Sequence, residues 1–211
     1  MRASILVTAL TLFFVFAVSY TAMKIGVPIY PHLRTQFHVP ESYFKFIISL
    51  FLVCYSVAQL WWGAFSDHYG RRKAFLWATA IAFVGNLITI FSFNVWVFML
   101  GRAIEGLGAG VASPVVKASF KDMLDSKAFS TAISLIGVVY NLLLFVAPTV
   151  GVWIYLLLGW RSIFIVMAIV HVLTFLLIIV GLRTLSQYKS KEPKGAFSYK
   201  QTLIDYVVLL R

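Results

Sequence analysis

The sequence predicts an all-α, multi-pass membrane protein, and three observations carry that prediction. Of the 211 residues, 61% are hydrophobic and only 12% are charged, with a mean hydropathy of +0.92, far from the balance of soluble domains. Apolar runs of about 20 residues, each able to span roughly 30 Å of hydrocarbon, recur along almost the whole chain. The cations gather mainly in the segments between those runs, where membrane topology places them.

Six spans are predicted, near residues 4–30, 42–64, 74–93, 95–118, 129–157 and 162–183. The first has features of a secretory signal, with Arg2 ahead of the apolar stretch and small residues in "AVSYTA". Its apolar stretch is longer than a signal's, and more spans follow, so it reads as a transmembrane helix. The second and third are joined by "GAFSDHYGRRKAF", residues 63–75. Gly63 permits close backbone approach and Gly70 a turn. Asp67 can accept from a helix N-terminus or pair with Arg71, while Arg71, Arg72 and Lys73 anchor the inner face. A turn flanked by topogenic cations explains the basic residues but not their spacing with the glycines and the aspartate.

The fourth span carries Arg102 about seven residues in, roughly 10 Å below its outer boundary at 1.5 Å per residue. A guanidinium at that depth needs neutralising, and Glu105, three residues on, shares its face. Gly106, Gly108 and Gly110 follow, giving a face with small residues four apart, which suits close helix packing or contact with a substrate. In the fifth span Pro148 removes an amide donor, with Gly151 nearly one turn on; a bent gate helix and a plain packing kink both fit.

Residues 1–183 thus form a six-helix unit. Residues 184–200 read as a basic loop, and 201–211 begin an apolar segment too short to cross a membrane. With the N-terminus in the cytoplasm, the inner side holds Arg2, Arg71, Arg72, Lys73, Lys121, Lys127, Arg183, Lys189, Lys191, Lys194 and Lys200. The outer side holds only Arg34, Lys45 and Arg161. That asymmetry predicts a cytoplasmic N-terminus and accounts for the net charge of +11 without nucleic acid. The single Cys54 excludes an internal disulfide, and no Cys/His cluster has metal spacing, so no metal or cofactor is expected.

The connector "GAFSDHYGRRKAF" resembles the loop motif of the major facilitator superfamily, G-x-L-A-D-R-x-G-R-R-x-x-L. Gly63, Asp67, Gly70, Arg71 and Arg72 fall on matching positions; Phe65 replaces the usual Leu and His68 the usual Arg. "RAIEGLGAG" resembles that family's fourth-helix signature, "APTVG" its antiporter motif, with Ala147 and Val152 in place of glycines, and "GWRSIF" the usual start of its sixth helix. The likeness covers nearly the whole chain and is strongest to exporters of the Bcr/CflA type.

The resemblance implies one half of a twelve-helix secondary transporter in a cell membrane, with Asp67 as a gating residue that latches a second half. It also implies a small-molecule substrate, antiport efflux and a proton gradient as the driving force. Two positions depart from the pattern. Aligning Pro28 with the proline ending helix 1 puts Lys24 where an acid is usual, and Glu105 stands where glutamine is usual.

Lys24 and Glu105 are therefore expected to meet in a central cavity, with Glu105 as proton carrier; a static triad of Lys24, Arg102 and Glu105 is the alternative. Two cations against one anion favour an anionic or zwitterionic substrate. Three functions compete: the N-terminal half of a proton-coupled exporter, a half-size transporter that assembles with a second copy or partner, and a non-transporting membrane scaffold. An enzyme is not expected, since no helix offers a paired acid set, a Ser/His pair or metal ligands at working spacing.

Overall fold

The computed structural model describes residues 2–183; the expected loop at 184–200 and apolar segment at 201–211 lie outside the described residues. Helix α1 is Arg2–Lys24. A 3-10 turn, Val27–Ile29, and helix α2, Tyr30–Phe37, continue the first span. Then come α3 (Glu41–Tyr69), α4 (Arg71–Ile90), α5 (Val95–Ala109), α6 (Ala112–Met123), α7 (Ser126–Leu158) and α8 (Trp160–Gly181). Among the described residues, six stretches are long and apolar enough to cross a membrane, the first joining α1 to α2 and the fourth joining α5 to α6.

The spans were expected, but their edges differ for local reasons. The first continues to Phe37 because Gly26 and Pro28 interrupt α1 without ending the run; proline has no amide to donate. The fourth is divided at Gly110 and Val111, where Val111 N donates to Gly108 O at 3.3 Å in a tightened 3-10 turn. Three glycines in five residues weaken the helix there. Asn94 caps α5 by accepting from Val97 N at 2.9 Å, and Asp125 caps α7 by accepting from Ala128 N at 2.9 Å.

The connector predicted at 63–75 is a single residue. Helix α3 runs through Gly63 and Asp67 to Tyr69, α4 starts at Arg71, and Gly70 alone reverses the chain at φ 97°. A left-handed backbone of this kind carries little penalty only for glycine.

Helix α4 lies between α5 and α8. Its buried residues, Ala74, Phe75, Ala78, Thr79, Ala82, Gly85, Asn86, Thr89 and Ile90, recur at helical spacing and are mostly small. They let α5 approach so closely that a Cβ at Gly85 would strike the backbone of Glu105, and one at Gly101 would come within 2.7 Å of Thr89 N.

Helices α4 and α8 hold each other at both ends. Arg72, at the start of α4, donates from Nη2 to Ile179 O near the end of α8 at 2.8 Å. Arg161, at the start of α8, donates to Ile90 O at 3.2 Å and Ser92 O at 3.1 Å, at the end of α4. About one turn in from the Arg161 end, Asn86 Nδ2 donates to Phe164 O at 2.7 Å. The final carbonyls of a helix have no intrahelical partner, so each arginine satisfies acceptors that would otherwise be orphaned.

Apolar cores flank this pair, one around Trp62, Phe75 and Phe120 and the other around Phe98, Trp160 and Phe164. Helices α3 and α7 are covered least: 28% and 17% of their most apolar windows are buried, against 67% in the α5–α6 span.

Candidate functional site

Among the described residues, the most deeply buried charged groups are Arg102 on α5, 1% exposed, and Glu105, wholly buried one turn on. Arg102 Nη1 donates to Glu105 Oε2 at 2.5 Å, and Nη2 donates to Ala22 O, in the last turn of α1, at 2.9 Å. The guanidinium lies 4.5 Å from the centre of the Phe51 ring, on α3, and 5.8 Å from that of Phe164, on α8.

A lone arginine at a span centre costs about 2.5–3.5 kcal/mol, and pairing with Glu105 makes the site formally neutral. The break at Gly26 ends α1 early enough to leave the Ala22 carbonyl available. One buried arginine therefore joins α5 to the end of α1. Among the described residues, Arg102 Nε and Glu105 Oε1 have no hydrogen-bond partner.

Lys24 does not join this pair. It is the last residue of α1, partly exposed, and among the described residues it forms no ion pair. The expected meeting of Lys24 with Glu105, and the triad with Arg102, are thus corrected. The backbone of Glu105 packs against Gly85 of α4, which draws the acid into the body of the bundle, and Arg102 occupies it there. The cationic surplus inferred from three charges resides on Lys24.

The second charged site surrounds Gly70. Arg71, only 13% exposed, donates from Nη1 to the Asp67 carboxylate and to Ser66 Oγ at 2.6 Å, and from Nε to Asp122 Oδ2 at 3.0 Å. Asp122 comes from α6, so the cluster ties three helices together. Asp67 remains 63% exposed, and Gly63, inside α3, accepts from Ser66 Oγ at 2.8 Å.

The three glycines of the fourth span do not share one face. Gly106 and Gly110 meet α3, where an added Cβ would lie 2.8 Å from Phe51 O and 2.7 Å from Tyr55 O. Gly108 meets α4 instead, with Ala78 O at 2.5 Å from such a Cβ. Helix α7 continues unbroken through Pro148, and Gly151 sits directly on the carbonyl of Ile25, where α1 is interrupted.

The profile of the Major Facilitator Superfamily matches residues 12–211. The chain belongs to this superfamily. Its members are transporters, and the chain resembles "Multidrug resistance protein MdtL" of Shewanella sp. (strain ANA-3), at 27% identity over 153 residues. That match covers 72% of this chain and 39% of the relative. "Multidrug resistance protein D" of Escherichia coli (strain K12) is 26% identical over 148 residues, covering 69% and 37%. The chain therefore spans about two fifths of the length of these relatives.

Among solved structures, the peptide transporter POT in complex with sulfate superposes with a TM-score of 0.76 at 18% identity, over 96% of this chain and 44% of that one. The human organic anion transporter MFSD10 (TETRAN) gives a TM-score of 0.67 at 17% identity, over 97% and 61%. These likenesses show the fold: a six-helix half of a major facilitator transporter.

Several residues of this major facilitator half escaped the sequence reading. Asp122 was missed as the second acid on Arg71, since nothing in the spacing of 51 residues links them. Arg161, an outer charge within "GWRSIF" by sequence, is a clasp on the end of α4 in the structure. Its signal was present nonetheless: Gly159-Trp160-Arg161 repeats the Gly-x-Arg of Gly70-Arg71-Arg72 at the junction preceding a span. Gly85 and Gly101 make helix contacts as close as that of Gly108, and only the packing reveals it.

Proposed function

We propose that this chain is the N-terminal half of a small-molecule exporter that works by alternating access against a second six-helix half. In this reading the N-terminus and the Gly70 junction face the cytoplasm of a bacterial cell, as the asymmetry of cations favours. The observation that carries the proposal is the Asp67–Arg71–Asp122 cluster. Two acids converge on one nearly buried arginine, and one of them, Asp67, keeps most of its carboxylate exposed at the end of the sparsely covered α3.

Asp67 then latches the second half in one conformation and releases it in the other. Export suits relatives that are named for multidrug resistance. Arg102 and Glu105 act as a structural clasp, because both are sealed within the bundle. Lys24 is the charge left for substrate, and the driving gradient is a proton gradient by family likeness.

The test is photocrosslinking in native membranes, with a benzophenone side chain placed at Asp67 and, separately, at Val138 on the exposed face of α7. Adducts to a second six-helix unit are expected at both positions, and their mass distinguishes a unit in the same polypeptide, a separate partner or a second copy. Labelling of lipid alone at both positions would overturn the proposal. Glu105→Gln decides the clasp against a proton carrier: retained pH-dependent flux favours the clasp, and abolished flux in normally expressed protein favours the carrier.

A further inference from the structure

Three tyrosines from three spans converge beside the end of α1. Tyr20 on α1 and Tyr140 on α7 pack edge to face with ring centres 4.9 Å apart, and Tyr20 lies 6.3 Å from Tyr55 on α3. Phe16 adjoins Tyr20 at 4.5 Å, while Phe51, the ring beneath Arg102, stacks on Tyr55 at 6.4 Å. Tyr20 and Tyr140 are half-buried, whereas Tyr55 is 6% exposed and its hydroxyl approaches that of Tyr20 without a well-formed hydrogen bond among the described residues. Buried tyrosine hydroxyls ordinarily find a partner, because one left unmade in an apolar medium is costly.

Lys24 follows Tyr20 by four residues, so both occupy one face of α1. Between them Met23 packs against Phe51 and Tyr55. Among the described residues, Asp67 and Asp122 are engaged by Arg71, Glu105 by Arg102, and Asp125 at the start of α7. This face therefore combines aromatic rings, a hydroxyl without a well-formed hydrogen bond and, among the described residues, an ammonium without an ion pair.

The geometry points to a binding site for an aromatic carboxylate, with Lys24 holding the carboxylate, the exposed side of the Tyr20–Tyr140 pair packing on the ring, and Tyr55 donating a hydrogen bond from its hydroxyl. This deepens the transport reading and rests on it for the role of substrate, but binding can be measured without transport. An aromatic cation fits the rings equally well and is rejected by Lys24.

The experiment uses the native polypeptide containing this chain, purified into nanodiscs, with benzoate as probe in saturation-transfer NMR and calorimetry. Benzylamine reverses the charge, cyclohexanecarboxylate removes the π-system and acetate removes the ring. Benzoate is expected to bind saturably and more tightly than all three. Lys24→Gln is expected to weaken benzoate about tenfold, the scale of one charge-assisted hydrogen bond, whereas Lys24→Arg largely preserves it. Tyr140→Leu is expected to lower the preference for benzoate over cyclohexanecarboxylate.

Benzylamine binding as tightly as benzoate would overturn the site without recourse to any variant. So would unchanged benzoate affinity in Lys24→Gln. Failure here with crosslinks intact removes only this site. Loss of the crosslinks with benzoate binding intact removes the transport reading and leaves the site.

Discussion

The Gly70 and Gly159 junctions are built alike and finished differently. In each, a glycine with positive φ, 97° and 83°, donates its amide at 2.9 Å to the carbonyl four residues back, Ser66 in one and Tyr155 in the other. In each, the arginine two residues on reaches the final carbonyls of the opposite helix of the α4–α8 pair. The shared parts reverse the chain and set the register of the two helices. Transporter halves built from inverted repeats place corresponding elements at opposite membrane faces in this way.

The middle residue differs. At the Gly70 junction it is Arg71, held by Asp67 and Asp122. At the Gly159 junction it is Trp160, buried against Phe37, Phe98 and Phe164, with the Arg161 guanidinium 4.3 Å from its ring centre. What the ends share is structural. What only one end has, an arginine shared by two acids of which one is exposed, is the part suited to an interaction that must be broken and remade.

The largest effect expected from breaking these arrangements lies between the junctions. Glu105→Leu strands Arg102 and should cost about 3–5 kcal/mol, read as loss of folded protein in a detergent melt. The double replacement Arg102→Leu with Glu105→Leu should recover much of it. Next comes Arg161→Leu, which orphans two carbonyls and should cost about 1.5–3 kcal/mol. Arg72→Leu orphans one and should cost less; equal melting shifts would sink the account of the two clasps by hydrogen-bond number.

The glycines sharpen the likeness between the junctions. A Cβ at Gly70 or Gly159 meets nothing within 4 Å, so the penalty for Gly70→Ala or Gly159→Ala is backbone strain alone. Both should lose about 1–2 kcal/mol, equally within error. Asp67→Asn should have the smallest effect on stability, no more than about 1 kcal/mol for an exposed pair. It should nevertheless reduce crosslinking from α7 to the second half. Loss of stability without loss of the crosslink would make Asp67 a structural residue like Arg72.

Much of the fold was legible because its causes are local. Span length and apolarity follow from transfer free energy summed along the chain, and a glycine at a turn follows from its backbone freedom. Helix ends were less legible. Helix α3 continues five residues beyond the predicted limit, since polar residues at a membrane surface interrupt hydropathy without interrupting the helix. The 3-10 break at Gly110 lies inside an apolar run that hydropathy reads as continuous.

Of the candidate sites, the Asp67–Arg71 pair was foreseen because i, i+4 neighbours on a helix are fixed by its period. The Lys24–Glu105 pair failed because sequence position gives depth in a membrane but not the rotation of one helix about its axis relative to another.

The sequence by itself therefore determined six spans, their helical state, the glycine reversal at Gly70 and the pairing of Arg102 with Glu105, all consequences of composition, glycine's backbone freedom and helical period. Only the tertiary structure decided that Arg71 would collect an acid from α6, that Arg161 and Arg72 would cap each other's helices, and that Lys24 would form no ion pair among the described residues. The reason is steric: small residues such as Gly85, Gly101, Gly108 and Gly151 set how closely the helices approach and which faces they present, and those choices determine which charges meet.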